Sequence, residues 1–347
     1  MRRSIIRARG IFRSHRRIAP VLAAGITAAG ALATPALSAP ASPRCGSVIT
    51  DDTSLTADIG PCASGGLVIG RDKVVLDLAG HSISGQANRT GDGVGVLVSG
   101  RSGVVVRNGL VRDFDAGVAI VDSSGATVDN ILAMDNRGTT QGGDFGDGIA
   151  ISGSSGNSII DSDVIGNGPY SGISLVGVST SNLVENNVVS GNDVPLTGED
   201  GIRIEGPGAA NNAVRGNTVS ANTLDGIAVF SNQVTGPLNS GNTIEENTVT
   251  ANGFGFLAAR PGDGIRTFLR ANLTTIRNNH VHNNAGNGIN VTSGSVGNDI
   301  LTNASTGNAR QSAAGTAFDL KDGNENCDGN VWSGNVFGTA SPACTTP

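Results

Sequence analysis

The sequence predicts an all-β chain wound as a single-stranded, right-handed parallel β-helix, a solenoid of about ten coils with three short strands in each. Three observations predict it. Glycine supplies 52 of the 347 residues, while Phe, Tyr and Trp together make up only 3%. A glycine–aliphatic–x–aliphatic unit recurs eight times, in alternation with an asparagine-led unit. No segment from 42 to 347 carries a sustained helical period.

The chain opens on an export signal. Residues 1–17 hold seven arginines and no acid, an apolar stretch follows from Ile18 to Ala33, and small residues lead to the triplet Ala39-Pro40-Ala41. That layout is a charged, an apolar and a cleavable region in order. The apolar stretch is short for a membrane span, which needs about 20 residues. Arg16-Arg17 raises the twin-arginine route, but His15 and Ala19 fit it poorly, so general secretion is the expectation. Residues 1–41 are read as a signal peptide, leaving a secreted, extracellular chain with no transmembrane segment.

Cleavage changes the charge balance. The full chain has 23 basic and 29 acidic residues; losing seven arginines leaves 23 − 7 = 16 basic against 29 acidic, a net charge of −13. A nucleic-acid partner requires a basic face to neutralise phosphates. This body is acidic, and nucleic acid is excluded.

Four cysteines in an exported chain are expected to pair. They fall as Cys45/Cys62 and Cys327/Cys344, and the local pairing is the easiest of the three connectivities to close. Each bridge would staple one end of the solenoid, where a coil lacks a neighbour. The expected organisation is therefore an N-terminal cap at 42–65, the β-helix at 66–335 and a C-terminal cap or tail at 336–347. A metal reading of the cysteines lacks C-x-x-C spacing and nearby histidines.

The first repeat unit begins at Gly93, Gly117, Gly148, Gly172, Gly201, Gly226, Gly264 and Gly288. Alternation points sixteen of its positions inward, and fifteen of those are Val, Ile or Leu. This is period-2 strand patterning with β-branched residues. The second unit, Asn/Ser–x–apolar–x–x–Asn/Asp, begins at Asn108, Asn130, Ser162, Asn187, Asn217, Asn247 and Asn279, with a last copy at Asn330-Trp332-Asn335. The shortest glycine steps are 24 residues, which sets one coil; the longer steps are loop insertions. Asparagine tolerates the left-handed turn conformation, and recurring at one corner it would form an internal polar ladder.

These repeats resemble those of the pectin-lyase-like superfamily of right-handed parallel β-helix proteins. The likeness covers about residues 45–344, including the opening segment Leu76–Gly85 and the closing segment from Phe318-Asp319-Leu320 to Asn335 and Phe337. It implies the fold. It does not imply one activity, because that superfamily holds pectate lyases, polygalacturonases, alginate epimerases, copper-site accessory proteins and proteins with no known activity.

Insertions point to the site. Residues 86–92, 137–147, 193–200 and 253–263 all precede the glycine–aliphatic strand, so they would wall one edge of a groove; only 231–241 falls elsewhere. The groove floor is expected to carry Gly95, Ala119, Ala150, Ser174, Arg203, Ala228, Arg266 and Asn290 in one outward column. Arg203 and Arg266 would stand two coils apart, and paired guanidiniums suit the carboxylates of a uronan; the alternative is that they pair with Asp200, Glu205 and Asp263. A rim column of Asp92, Asp147, Asp200, Asp225 and Asp263, with Tyr170 and Asn287 near equivalent positions, is ordinary Asp-Gly turn chemistry, but stacked carboxylates are also a calcium donor set.

The site residues expected to bind substrate are Arg203, Arg266, Asn290, Asp200, Asp225 and Asp263. If the groove is catalytic, Arg203 would neutralise a uronate and Tyr170 would act as acid/base. The residues that the resemblance would require for catalysis are missing: no Asp-Pro-His, no Asn-Thr-Asp, no Gly-His-Gly, and the sole Asp-Asp pair, Asp51-Asp52, lies in the cap. His280 and His282 flank inward Val281 and face outward, too few for a metal site. The expectation is thus a secreted monomer that binds a polysaccharide or cell-surface glycan along the groove, with no cofactor unless calcium. The alternative is a polysaccharide lyase or uronan epimerase acting in the same groove. Maturation of a metalloenzyme is disfavoured by the scarcity of Met, Cys and His.

Overall fold

A computed structural model of the chain describes residues 42–86, 93–138, 146–193, 198–231, 238–255 and 260–346. The export segment 1–41, Asp92 and parts of all five expected insertions lie outside the described residues.

Among the described residues every strand pairing is parallel, and twelve strands stack in sequence order into one sheet, from Val48–Ile49 to Ala340–Ser341. The other two walls of the solenoid come from strands such as Ser158–Ile160 and Asp163–Ile165, which follow the sheet strand Ile149–Ser152 in one coil. The chain is a right-handed parallel β-helix. Ile149, Ile173 and Ile202 are successive Cα partners, all fully buried, so residues about two dozen apart are vertical neighbours. A second buried column runs Ile159, Val184, Val214, Ile244, Ile276, Ile300. Each such side chain contributes about 1.5–3 kcal/mol on leaving water, so the core is aliphatic columns with Phe114 and Trp332 filling it near the two ends.

Twelve rungs exceed the expected ten because the end segments are rungs themselves. Val48–Ile49 pairs with Leu67–Ile69, and Ala340–Ser341 pairs with Leu320–Asp322. Disulfides Cys45–Cys62 and Cys327–Cys344 tie these end coils, in the local pairing.

The asparagines form three internal ladders. In one, the side-chain oxygens of Asn167, Asn192, Asn222, Asn252, Asn284 and Asn308 each accept the backbone N–H and side-chain amide of the rung before. A second runs Asn157, Asn182, Asn212, Asn242, and a third Ser162, Asn187, Asn217, Asn247, Asn279, Asn303, Asn335. The first ladder explains the repeat glycine. A Cβ on Gly172 would lie 2.6 Å from Asn192 Nδ2, and Gly148, Gly201, Gly226, Gly264 and Gly288 each meet their own rung's amide at 2.6–2.8 Å. The two repeat units are thus one device: the amide of the corner asparagine fills the space that the glycine leaves.

Register departs from expectation at three places. Gly95, not Gly93, aligns with Gly117, so Leu97 rather than Gly95 joins the outward column. In Val105–Arg112 and Thr127–Met134, two walls run together as eight-residue strands, with Asn108 and Asn130 in left-handed backbone. The inward residues there are Val111 and Ala133, not Leu110 and Leu132, because a one-residue shift exchanges faces. In the last coil Asn330 extends the ladder of Asn298, and Asn335 rather than Asn330 extends that of Asn279 and Asn303.

Candidate functional site

The twelve-stranded sheet carries the predicted column. Ala119, Ala150, Ser174, Arg203, Ala228, Arg266 and Asn290 are successive Cα partners, and Lys321 follows Asn290. The upper part is small-residue floor, but it is covered rather than open: Ala119, Ala150 and Ser174 are at most 3% exposed. The open part is the lower end, a basin of about 390 Å³ above Arg266, Asn290 and Lys321.

The aspartate column is a fourth ladder. Asp147 Oδ1 accepts the backbone N–H of Ser171, Asp200 Oδ1 that of Asp225, Asp225 Oδ1 that of Asp263, and Asp263 Oδ1 that of Asn287. Asn287 continues it to Phe318. Ser171, not Tyr170, holds the equivalent position: Gly148 N–H donates to the Ser171 carbonyl as Gly172 N–H does to that of Asp200. Tyr170 sits one residue earlier, its ring against Gly146.

With one oxygen spent along the wall, each carboxylate turns the other toward the floor, where the arginines are. Arg203 Nη1 lies 2.5 Å from Glu199, and its Nε lies 3.5 Å from both Asp200 and Glu205. Arg260 Nη2 lies 2.5 Å from Asp225 Oδ2. Arg266 stands 3.8 Å from both Asp225 and Asp263. Arg203 packs over the ring of Phe230 at 4.9 Å and Arg266 over Phe268 at 4.2 Å, and the two rings stack at 4.3 Å. Asn290 donates to Asp263 Oδ2 at 2.7 Å. The predicted arginines and aspartates are brought together: Arg203 is enclosed by carboxylates, while Arg266 stands off from its two at 3.8 Å. Glu199, Phe230, Arg260 and Phe268 are members that the sequence did not single out. Both phenylalanines close the floor strand, at positions facing outward in adjacent coils, and that shared position was a usable signal.

Burial sets the protonation of this cluster. It pushes Asp147 up to about 7, offset in part by the Arg203 charge. Glu199 is likewise pushed up to about 7, burial outweighing Arg203. Asp200 is lifted well above the carboxylate range by burial and then by the charge of Asp225, and Asp263 is raised by the same two causes.

Among the described residues no group of three or more His, Cys, Asp and Glu is arranged to hold a metal. The aspartate oxygens that would serve calcium accept backbone N–H groups and face guanidinium or amide groups. His280 and His282 flank buried Val281 as expected, and His282 Nδ1 lies 3.1 Å from Thr250 Oγ1.

Comparisons with known proteins place the fold. A family profile described as periplasmic copper-binding protein (NosD) matches residues 79–268. Among curated proteins the sequence has no match. Among solved structures it is similar to the Dettilon tailspike protein (18% identity, TM-score 0.56), over 84% of this chain and 58% of the tailspike. It is similar also to the pectate lyase Pel9A (14%, TM-score 0.55), over 86% of this chain and 79% of the lyase. The A-module of the mannuronan C-5 epimerase AlgE6 from Azotobacter vinelandii matches at 17% identity and TM-score 0.55, over 85% of this chain and 87% of the module. The chain thus spans less than two thirds of the tailspike.

Proposed function

The chain belongs to the NosD family, and from that premise, its disulfides and its groove we propose that it is a secreted β-helix protein that binds polysaccharide on the open end of its twelve-stranded sheet. Two disulfides suit an oxidising compartment, periplasmic or extracellular. No helix among the described residues is long and apolar enough to cross a membrane.

The family description does not extend to copper here. Copper is taken by Cys, Met and His. All four cysteines are in disulfides, and the chain has two methionines and four histidines. Among the described residues the paired histidines are His280 and His282, which share one strand, where His282 Nδ1 sits among Thr250 and Asn283. These residues do not fit a copper site, and no step is derived through the metal.

One observation carries the glycan reading. The register sets Arg266, Asn290 and Lys321 in a single row beneath an open basin rimmed by Asn287, Ser293, Ser312 and Thr316, a concave wall of hydrogen-bonding groups of the kind that orients sugars. The pectate lyase and the mannuronan epimerase that share the fold are named for polysaccharides, which is consistent with this reading. Affinity electrophoresis against neutral, uronate and sulfated polymers, with and without calcium, tests it. Retention by at least one polymer, without new unsaturated product, is expected; free migration in every gel refutes it.

Turnover in the same groove is the second reading. Glu199 favours it, since it is partly exposed beside Arg203 and keeps its proton up to about pH 7, as a general acid must. Release of unsaturated product, abolished in Glu199→Gln, would establish it; its absence keeps the protein a binder.

A further inference from the structure

The groove is not electrically uniform. Around Arg203 stand three carboxylates, those of Glu199, Asp200 and Glu205. The lower basin has the opposite balance. Arg260, Arg266 and Lys321 line it, against the two buried carboxylates of Asp225 and Asp263.

Those two carboxylates are largely spent. Asp225 accepts the Asp263 N–H at 2.6 Å and holds Arg260 at 2.5 Å. Asp263 accepts the N–H and amide of Asn287 on one oxygen and Asn290 on the other, each at 2.7 Å. Arg266 therefore stays 3.8 Å from both, beyond hydrogen-bond reach, and its buried Nε has no acceptor. Lys321 donates to the Thr316 carbonyl at 3.2 Å and makes no ion pair with any described carboxylate. One positive charge is left over, with donors to spare, in a basin of about 390 Å³.

We propose that this basin receives an anionic group on a sugar unit, a carboxylate or a sulfate ester. Lys321 and the outer face of Arg266 grip the anion, because ammonium and guanidinium groups bind such oxygens through charge-assisted hydrogen bonds. Asn290 and the hydroxyls of Thr292, Ser293 and Ser312 face the rest of the ring. Arg203 takes no part, being enclosed by Glu199, Asp200 and Glu205. The inference rests on the polysaccharide reading and fixes the class of sugar that the groove selects.

The test pairs polymers that differ only in charge: polygalacturonate against its methyl ester, and a sulfated galactan against the unsulfated one. Wild type is expected to bind the charged member of a pair more tightly, and the pair that shows it identifies the anion. Lys321→Ala, at a partly exposed site, is expected to weaken the charged polymer about tenfold, leave the neutral one unchanged and be rescued by Lys321→Arg. Arg112→Ala, on another wall, changes neither. Equal binding of charged and neutral polymers, or an unaffected Lys321→Ala, overturns the inference. Binding of neutral polymers alone sinks it and spares the polysaccharide reading; binding of none sinks both.

Discussion

Replacing Asn192 by alanine removes the rung that joins three coils. Its oxygen accepts the Asn167 N–H at 3.1 Å and the Asn167 amide at 3.0 Å, and its own amide donates to the Val164 carbonyl at 2.9 Å and Asn222 Oδ1 at 3.0 Å. The substitution leaves two donors on Asn167 buried with no acceptor. At about 1–3 kcal/mol for each orphaned group, the loss is about 2–6 kcal/mol. Gly172→Ala should cost about 1–3 kcal/mol by overpacking, because two of the three atoms its Cβ would meet, at 2.6 and 2.9 Å, belong to the Asn192 side chain. The double variant must then be less damaged than the sum, with a coupling on the order of 1 kcal/mol or more. Urea unfolding followed by far-ultraviolet circular dichroism measures all three. Additivity within about 0.5 kcal/mol would mean that glycine and asparagine do not share that space, and the account of the repeat would fail.

The acidic wall predicts a pH dependence. Asp147 and Glu199 are held near 7 against ordinary values of 3.8 and 4.5, so the folded chain binds their protons more tightly than the unfolded one. Their contribution is complete below those ordinary values and is lost as pH rises through about 7; the urea midpoint should fall between pH 5 and pH 8, less steeply in Asp147→Asn, and a midpoint that rises would contradict the assignment. Opening the Cys45–Cys62 bridge by Cys62→Ser releases a loop of seventeen residues and should cost about 3 kcal/mol. Hydrogen exchange should place the new opening in the first two coils, and uniform loosening along the stack would count against the end-staple role.

The solenoid was legible because a repeat states its own register many times over. Gly148 to Gly288 align in the structure as they do in the sequence, and with them the column that holds Arg203 and Arg266. Errors fell where the repeat is stretched. Leu110 and Leu132 keep the spacing of the inward valines, yet continuous eight-residue strands shift them outward. The partners of the arginines were less legible. Arg260 and Glu199 belong to insertions, where no neighbouring coil dictates position. Lys321 lies in a degenerate coil whose match to Asn290 shows only once Leu320–Asp322 is paired. Tyr170 was misjudged by one residue because Ser171 looks unremarkable beside a row of aspartates.

That row has an evolutionary corollary. At the same corner, Asp263 and Asn287 do one job: each lends an oxygen to the backbone above. Amide and carboxylate are equivalent for that purpose and differ only in what they offer the solvent side. A single nucleotide change can therefore add or erase a charge on the wall while the coil stays as it was. Such a scaffold can be re-lettered for a new ligand one storey at a time.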